Sequence, residues 1–347
     1  MKKAVKVILK VLLAFVCIIV IGVGIILGLR AYNDKKYGGM ESLTDSDVTD
    51  ISRYPKELDG IEVKYVDNGA FQGFHLKPDN KLYNGVVVFY GGSDGSPFFE
   101  VAQLYAEKGY ETLSVFLFGM KNQQASLTKV PLDQFDDVLD YINKNIEDNT
   151  TITVMGVSKG AEYVLNLAAR YDEISNVIVM APVAYTFSGL NSDAVSSSSS
   201  WTWKGEEVPY IDIQKSDFSE LFKDMIFPMM IGAPIDFRGI YDAALEADED
   251  RDAKLIPAQK VKGDILVIYG EEDGMMDTKR MAELIQSQHK NTRVCGYENA
   301  GHMFSGNGLM TEFGMRMNLG GTVEGNEAAM IECTKEIDDF LSSHHVK

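Results

Sequence analysis

The sequence predicts an α/β fold: a mostly parallel central sheet with helices on both faces, preceded by one N-terminal transmembrane helix. Three observations carry this expectation. From residue 86 onward, short continuous apolar runs alternate with amphipathic helical stretches. The segment Gly156-Val157-Ser158-Lys159-Gly160 joins one such run to one such helix, the sequence form of a sharp strand-to-helix turn with a serine at its apex. Residues 11–29 carry no charge between Lys10 and Arg30, and as a helix they would span about 28 Å, the thickness of a bilayer's hydrocarbon core.

Residues 1–30 read as a membrane anchor. A cleaved signal peptide has a shorter apolar centre and a small-x-small cleavage site, and Leu27-Gly28-Leu29-Arg30 offers none. Lys2, Lys3, Lys6 and Lys10 precede the span, whereas Arg30, Lys35 and Lys36 follow it. That bias places the N-terminus inside and the body outside, a single-pass protein of the cell membrane with an extracytoplasmic body. Residues 31–57 are polar and aperiodic and read as a tether. Residues 58–347 are then one large domain.

Within that domain, residues 61–66 and 70–76 form two strands about the turn signal Asp67-Asn68-Gly69. Strands follow at 86–90, 111–116, 151–155, 177–181, 265–269 and 292–297, with helices at 100–108, 132–146, 161–170, 278–289 and 326–341. The rhythm breaks over residues 183–257, which hold a serine run (196–200), the two tryptophans Trp201 and Trp203, and a Met-rich stretch (225–230). This is an insertion over the strand ends. A flexible serine tract beside large aromatic groups suits a lid over an apolar substrate, and the tryptophans suit equally well a role in packing the insertion onto the core.

Charge narrows the partners. Residues 1–36 carry seven Lys/Arg and one Asp, which leaves 26 basic and 50 acidic side chains in the rest and a net charge of about −24. Nucleic acid is excluded as a partner, and a polyanionic substrate is disfavoured. Outside the span only Cys295 and Cys333 could form a bridge, and nothing demands one. No Cys/His spacing suggests zinc, and no cofactor is implied.

The chemistry is that of an activated serine. A serine hydroxyl is a poor nucleophile at neutral pH, so the turn at Ser158 requires a histidine base and a carboxylate, in that fold at strand ends later in the chain and in the order serine, acid, histidine. Asp273 follows the strand at 265–269 and His302 follows the last strand, 29 residues later, which leaves room for one helix and one strand. Glu271, Glu272 and Asp277 are the competing acids. His75 belongs to an early strand, His289 ends a helix, and His344 and His345 read as a frayed terminus. A second serine, in Gly91-Gly92-Ser93-Asp94-Gly95, fits the same five-residue pattern after a strand, but chain order makes it the loop that supplies half of an oxyanion hole. Its donors are assigned to Gly92 and Ser93, with the Lys159 amide as partner. Lys159 and Glu162 are three apart at a helix start and are expected to pair structurally.

These segments resemble more than a generic α/β-hydrolase. The stretch from Val157 to Glu162 is similar to the nucleophile segment of the catalytic domain shared by acyl-CoA thioester hydrolases and bile acid-CoA:amino acid N-acyltransferases. Segments 89–95, 130–135, 256–273 and 320–329 resemble, in register, that family's oxyanion loop, pre-elbow helix, acid strand and terminal helix entry. The resemblance runs from about residue 60 to the end and implies a triad of Ser158, Asp273 and His302. The family's animal members carry an N-terminal β-sandwich domain, where this sequence has the span and tether. Its amide-forming members use cysteine as nucleophile, so Ser158 implies transfer to water. The expected function is a membrane-anchored serine hydrolase acting on a small-molecule ester or thioester. The alternatives are an acyltransferase serving an amine or hydroxyl acceptor, and a non-catalytic surface binding protein.

Overall fold

The computed structural model describes residues 2–38, 47–191, 195–312 and 314–346. Its centre is an eight-stranded sheet. The strands are β1 (Ile61–Asn68), β2 (Phe71–Pro78), β3 (Val86–Tyr90), β4 (Thr112–Val115), β5 (Ile152–Val157), β6 (Asn176–Met180), β7 (Asp264–Gly270) and β8 (Thr292–Tyr297). Their order is β1-β2-β4-β3-β5-β6-β7-β8. β1 and β2 form the expected antiparallel hairpin, β2 pairs antiparallel with β4, and every other pairing is parallel.

Both faces of the sheet are buried because successive strand residues point to opposite sides. Val86, Val88, Val154, Val177, Val179, Ile265 and Val267 enter one core with helices α3 (Phe135–Asn145), α4 (Lys159–Ala168) and α5 (Thr278–Gln288). Val87, Phe89, Met155, Ile178, Leu266 and Ile268 enter the other with α2 (Phe99–Glu107) and α6 (Val323–His344). Two cores separated by a continuous apolar sheet explain why the strands read as unbroken apolar runs.

The N-terminal helix α1 (Lys2–Tyr37) is longer than the apolar run alone. It is long and apolar enough to cross a membrane, with residues 5–29 largely exposed. It continues through residues 31–37, part of the stretch expected to be an irregular tether. Residues 39–46 of that stretch lie outside the described residues. Beyond them Tyr54 packs on the body, its ring 4.8 Å from Phe74 and 5.3 Å from Phe99, so an aperiodic sequence here conceals an anchored segment rather than a free one.

Two further expectations are corrected. The serine run is a strand, Val195–Ser199, paired with Ser188–Leu190, and Trp201 is fully buried against Tyr163. With Val183, Tyr185, Phe187 and Ile211 also in the core, this half of the insertion packs onto the body, the second of the two roles that suited the tryptophans. Polar serines mislead because their backbone pairing is invisible to hydropathy. The terminus is likewise ordered: His345 is 1% exposed, its Nδ1 lies 2.6 Å from the Asn84 carbonyl and its Nε2 2.7 Å from Thr153 Oγ1.

His345 gives a pH prediction. Burial holds its imidazole below the ordinary histidine value, so the folded state keeps the ring neutral while the unfolded chain protonates near pH 6.5. Below that value the unfolded state binds the extra proton, and stability is lost as pH falls through the window down to the lowered native value. The drop in Tm between pH 7 and pH 5 is expected to be smaller in His345→Gln than in the native chain. Equal drops would remove His345 as the cause.

Candidate active site

The turn between β5 and α4 is built as its glycines require. A Cβ on Gly156 would sit 2.2 Å from the Gly160 carbonyl oxygen, and one on Gly160 would sit 2.0 Å from the Gly91 carbonyl oxygen; any side chain there would force strand, helix and neighbouring loop apart. Between them Ser158 has φ 55° and ψ −117°. A non-glycine residue in that region stores about 1–3 kcal/mol of strain. The conformation lifts Ser158 out of the buried strand into partial exposure.

Two other strand ends meet it. His302 Nε2 lies 2.9 Å from Ser158 Oγ, and His302 Nδ1 lies 2.7 Å from Asp273 Oδ2. Asp273 and His302 are buried. The second carboxylate oxygen, Oδ1, accepts from the backbone amides of Met275 and Met276 at 2.7 and 3.1 Å, which fixes the carboxylate plane against rotation. The competing acids are engaged elsewhere. Glu271 pairs with Lys279, Asp277 caps α5 and pairs with Arg238, and Glu272 is exposed. Of the other histidines, His75 is buried between Glu111 and Tyr141, and His289 meets Thr292.

Gly92 stands beside the nucleophile, since a Cβ there would lie 3.7 Å from Ser158 Cβ. Ser93 is exposed on the same loop. Lys159 is the first residue of α4, so its amide has no carbonyl one turn earlier to receive it. Its side chain points away from the cleft into the core, where Nζ meets Glu162 Oε2 at 2.9 Å, the pairing expected from their spacing.

Two supports escaped the sequence reading. Glu162 Oε1 accepts from Trp201 Nε1 at 2.7 Å and from the Phe187 amide at 3.0 Å, tying the insertion to the elbow helix. Asn326 accepts from the Gly301 amide at 2.8 Å through Oδ1 and donates to the Gly306 carbonyl at 3.0 Å, bracing the loop that carries His302. The only signal for it was the polar residue four places after Thr322, which caps α6. Asn326→Ala would orphan a buried amide. A loss of about 1–3 kcal/mol is expected in a denaturant titration, together with a lower kcat, and Asn326→Asp should not restore either, because it keeps the acceptor but turns a carboxylate oxygen on the Gly306 carbonyl.

A mostly parallel sheet in this strand order, with a strained serine on the turn after β5, an acid after β7 and a histidine after β8, defines an α/β-hydrolase. Solved structures share the fold: an esterase from Pyrococcus furiosus aligns with 84% of this chain and 95% of its own at TM-score 0.51 and 13% identity. An acylaminoacyl peptidase from Pyrococcus horikoshii aligns with 84% of this chain and 43% of its own at TM-score 0.53 and 16% identity. More narrowly, residues 130–347 match the family described as BAAT / Acyl-CoA thioester hydrolase C terminal, and the chain belongs to that family. Its relatives include the bile acid-CoA:amino acid N-acyltransferase of Mus musculus, 23% identical over 82% of this chain and 66% of the relative. The peroxisomal succinyl-coenzyme A thioesterase of Mus musculus is 21% identical over 78% of this chain and 62% of the relative. The chain thus spans about two thirds of the length of the curated relatives it matches.

Proposed function

We propose that this protein is a membrane-anchored serine hydrolase that cleaves an ester or thioester through an acyl-enzyme on Ser158. The single observation that carries the reading is the hydrogen-bonded row from Ser158 through His302 to Asp273, headed by a strained serine. In the first half-reaction His302 Nε2 takes the Ser158 proton as Oγ attacks the acyl carbon. Asp273 holds the Nδ1 proton and stabilises the imidazolium. The oxyanion that develops is met by the amides of Lys159 and of Gly92 or Ser93, each donor contributing about 3 kcal/mol to the transition state. His302 then gives its proton to the leaving alcohol or thiol. In the second half-reaction it takes a proton from the water that attacks the acyl-enzyme and returns it to Ser158 Oγ as the acyl–Oγ bond breaks and the acid leaves.

Substrate class follows from family and charge. The relatives' names point to acyl thioesters, while a net charge of about −24 outside residues 1–36 opposes an anionic carrier such as coenzyme A. An uncharged or membrane-derived acyl compound fits better, with α1 holding the body on the outer side of the cell membrane. The full-length chain in detergent should label with a fluorophosphonate probe and turn over short acyl esters or thioesters. Absence of labelling in the folded protein would instead favour a non-catalytic binding protein.

A second reading, acyl transfer to an amine or hydroxyl acceptor, is favoured by the N-acyltransferase relatives. Product analysis with such acceptors present separates the two, because free acid as the sole product eliminates transfer.

A further inference from the structure

One surface of the body carries a row of large apolar side chains that the described residues leave exposed. Residues 218–231 form a nearly continuous helical segment, Phe218–Leu221, a π-helical stretch Phe222–Ile226, and Phe227–Ile231. It exposes Phe218 (70%), Phe222 (43%), Phe227 (39%), Met229 (44%) and Met230 (39%). The rings form a row, with centroids 6.2 Å apart between Phe218 and Phe222 and 6.1 Å between Phe222 and Phe227. Contiguous exposed apolar groups of this size mark an interaction surface.

The row ends at α1. Asn33, buried at the C-terminal end of α1, donates to the Ile231 carbonyl at 2.9 Å. Arg316, 2% exposed, joins the two: its guanidinium pairs with Asp34 at 2.8 Å and donates to the Gly232 and Gly38 carbonyls. The uncharged run of α1 stops at Leu29, and four residues of helix rise about 6 Å. Ile231 is therefore fixed about one helical turn beyond the end of the apolar span, at the depth where hydrocarbon gives way to headgroups. Phenylalanine and methionine suit that depth, and Arg30, Lys35 and Lys36 at this end of α1 suit the headgroup layer.

The same clamp reaches the chemistry. The Arg316 carbonyl accepts from the Ile235 amide at 2.8 Å, and three residues on, the Leu319 carbonyl accepts from the His302 amide at 2.7 Å and from Gly274, next to Asp273, at 3.3 Å. From these contacts we propose that the face formed by residues 218–231 seats in the leaflet surface from which α1 emerges. It holds the cleft beside the bilayer so that acyl compounds dissolved in the membrane are the substrates. The proposal rests on reading α1 as an anchor and Ser158 as the nucleophile, and it adds a lipid surface as the partner of the insertion.

The test uses the full-length chain in phosphatidylcholine vesicles containing lipids brominated at shallow acyl positions. Tryptophan at position 222, introduced as Phe222→Trp, should lose at least half of its added fluorescence, while the native Trp201 and Trp203 signal stays unquenched. No quenching of the added signal, in protein that still resists carbonate extraction, overturns the proposal, as does cross-linking of the row to a second copy. Release of the chain by carbonate defeats the anchor reading and the proposal with it. The triple variant Phe218→Ser, Phe222→Ser, Phe227→Ser should lose at least tenfold in turnover of a long-chain ester carried in the vesicles and stay within twofold on a water-soluble short ester. Equal losses on both overturn membrane delivery. If the native chain hydrolyses neither ester, the nucleophile reading fails and membrane delivery falls with it, while seating of the face is still decided by the quenching.

Discussion

Ser158→Ala is expected to lose between about 10⁴- and 10⁶-fold in kcat on any ester or thioester the native enzyme cleaves, with KM little changed and fluorophosphonate labelling abolished. The magnitude is that of removing the nucleophile from a serine-histidine-acid unit, where the remaining donors and binding contacts leave only a residual rate. A stability measurement separates this from misfolding. Ser158 stores about 1–3 kcal/mol in its backbone at φ 55°, and only glycine relieves that cost. Ser158→Gly should therefore be inactive and yet as stable as or more stable than the native chain in a thermal melt, the signature of a residue kept for function against its own conformational preference. Labelling that persists in both variants would assign the nucleophile elsewhere. Ser93, exposed after β3, would be the first residue to examine.

The fold was legible where one physical signal dominated. β3 to β7 are buried on both faces, so each strand had to be a largely apolar run, and their ends were readable within one or two residues. The site was legible because the elbow's glycines have no steric alternative and because a fixed strand order brings later strand ends to the serine's side of the sheet. Legibility failed where several weak signals combined. The serine strand and Trp201 owe their burial to partners far along the chain, Glu162 among them, and the tail at His345 is held by hydrogen bonds to Thr153 on β5 and to Asn84 in the loop before β3 that no local pattern encodes. The hairpin of Leu309–Glu312 and Met315–Asn318 was missed for the same reason. Its Arg316 is a buried cation, a residue type read from sequence as exposed, and it is buried only because Asp34 and two carbonyls meet it.

Glu162→Gln should leave the Lys159 ammonium buried without its partner and cost the protein a large part of its stability. Glu162 is fully buried, and burial pushes its carboxyl above the ordinary value even with the Lys159 ammonium beside it working the other way. Lys159 Nζ spends its three donors on Glu162 Oε2, the Ser188 carbonyl at 3.2 Å and Ser200 Oγ at 2.8 Å. A glutamine could still accept from Trp201 and Phe187 through its oxygen, but its amide nitrogen would then face the ammonium, donor against donor. Breaking a buried pair from one side costs about 3–5 kcal/mol because the surviving charge is left uncompensated, which for a chain of this size lowers Tm by on the order of 10 °C. Removing both charges, as Lys159→Met with Glu162→Gln, should recover part of that loss, since no ion remains buried alone. A double-mutant cycle measured by denaturant unfolding reads the coupling directly, and a single-variant loss below about 1 kcal/mol would mean that the pair does not hold the insertion to the elbow helix. Activity should fall with stability in the single variant and return with it in the double, because Lys159 contributes to the proposed oxyanion site through its amide, which neither side-chain change removes.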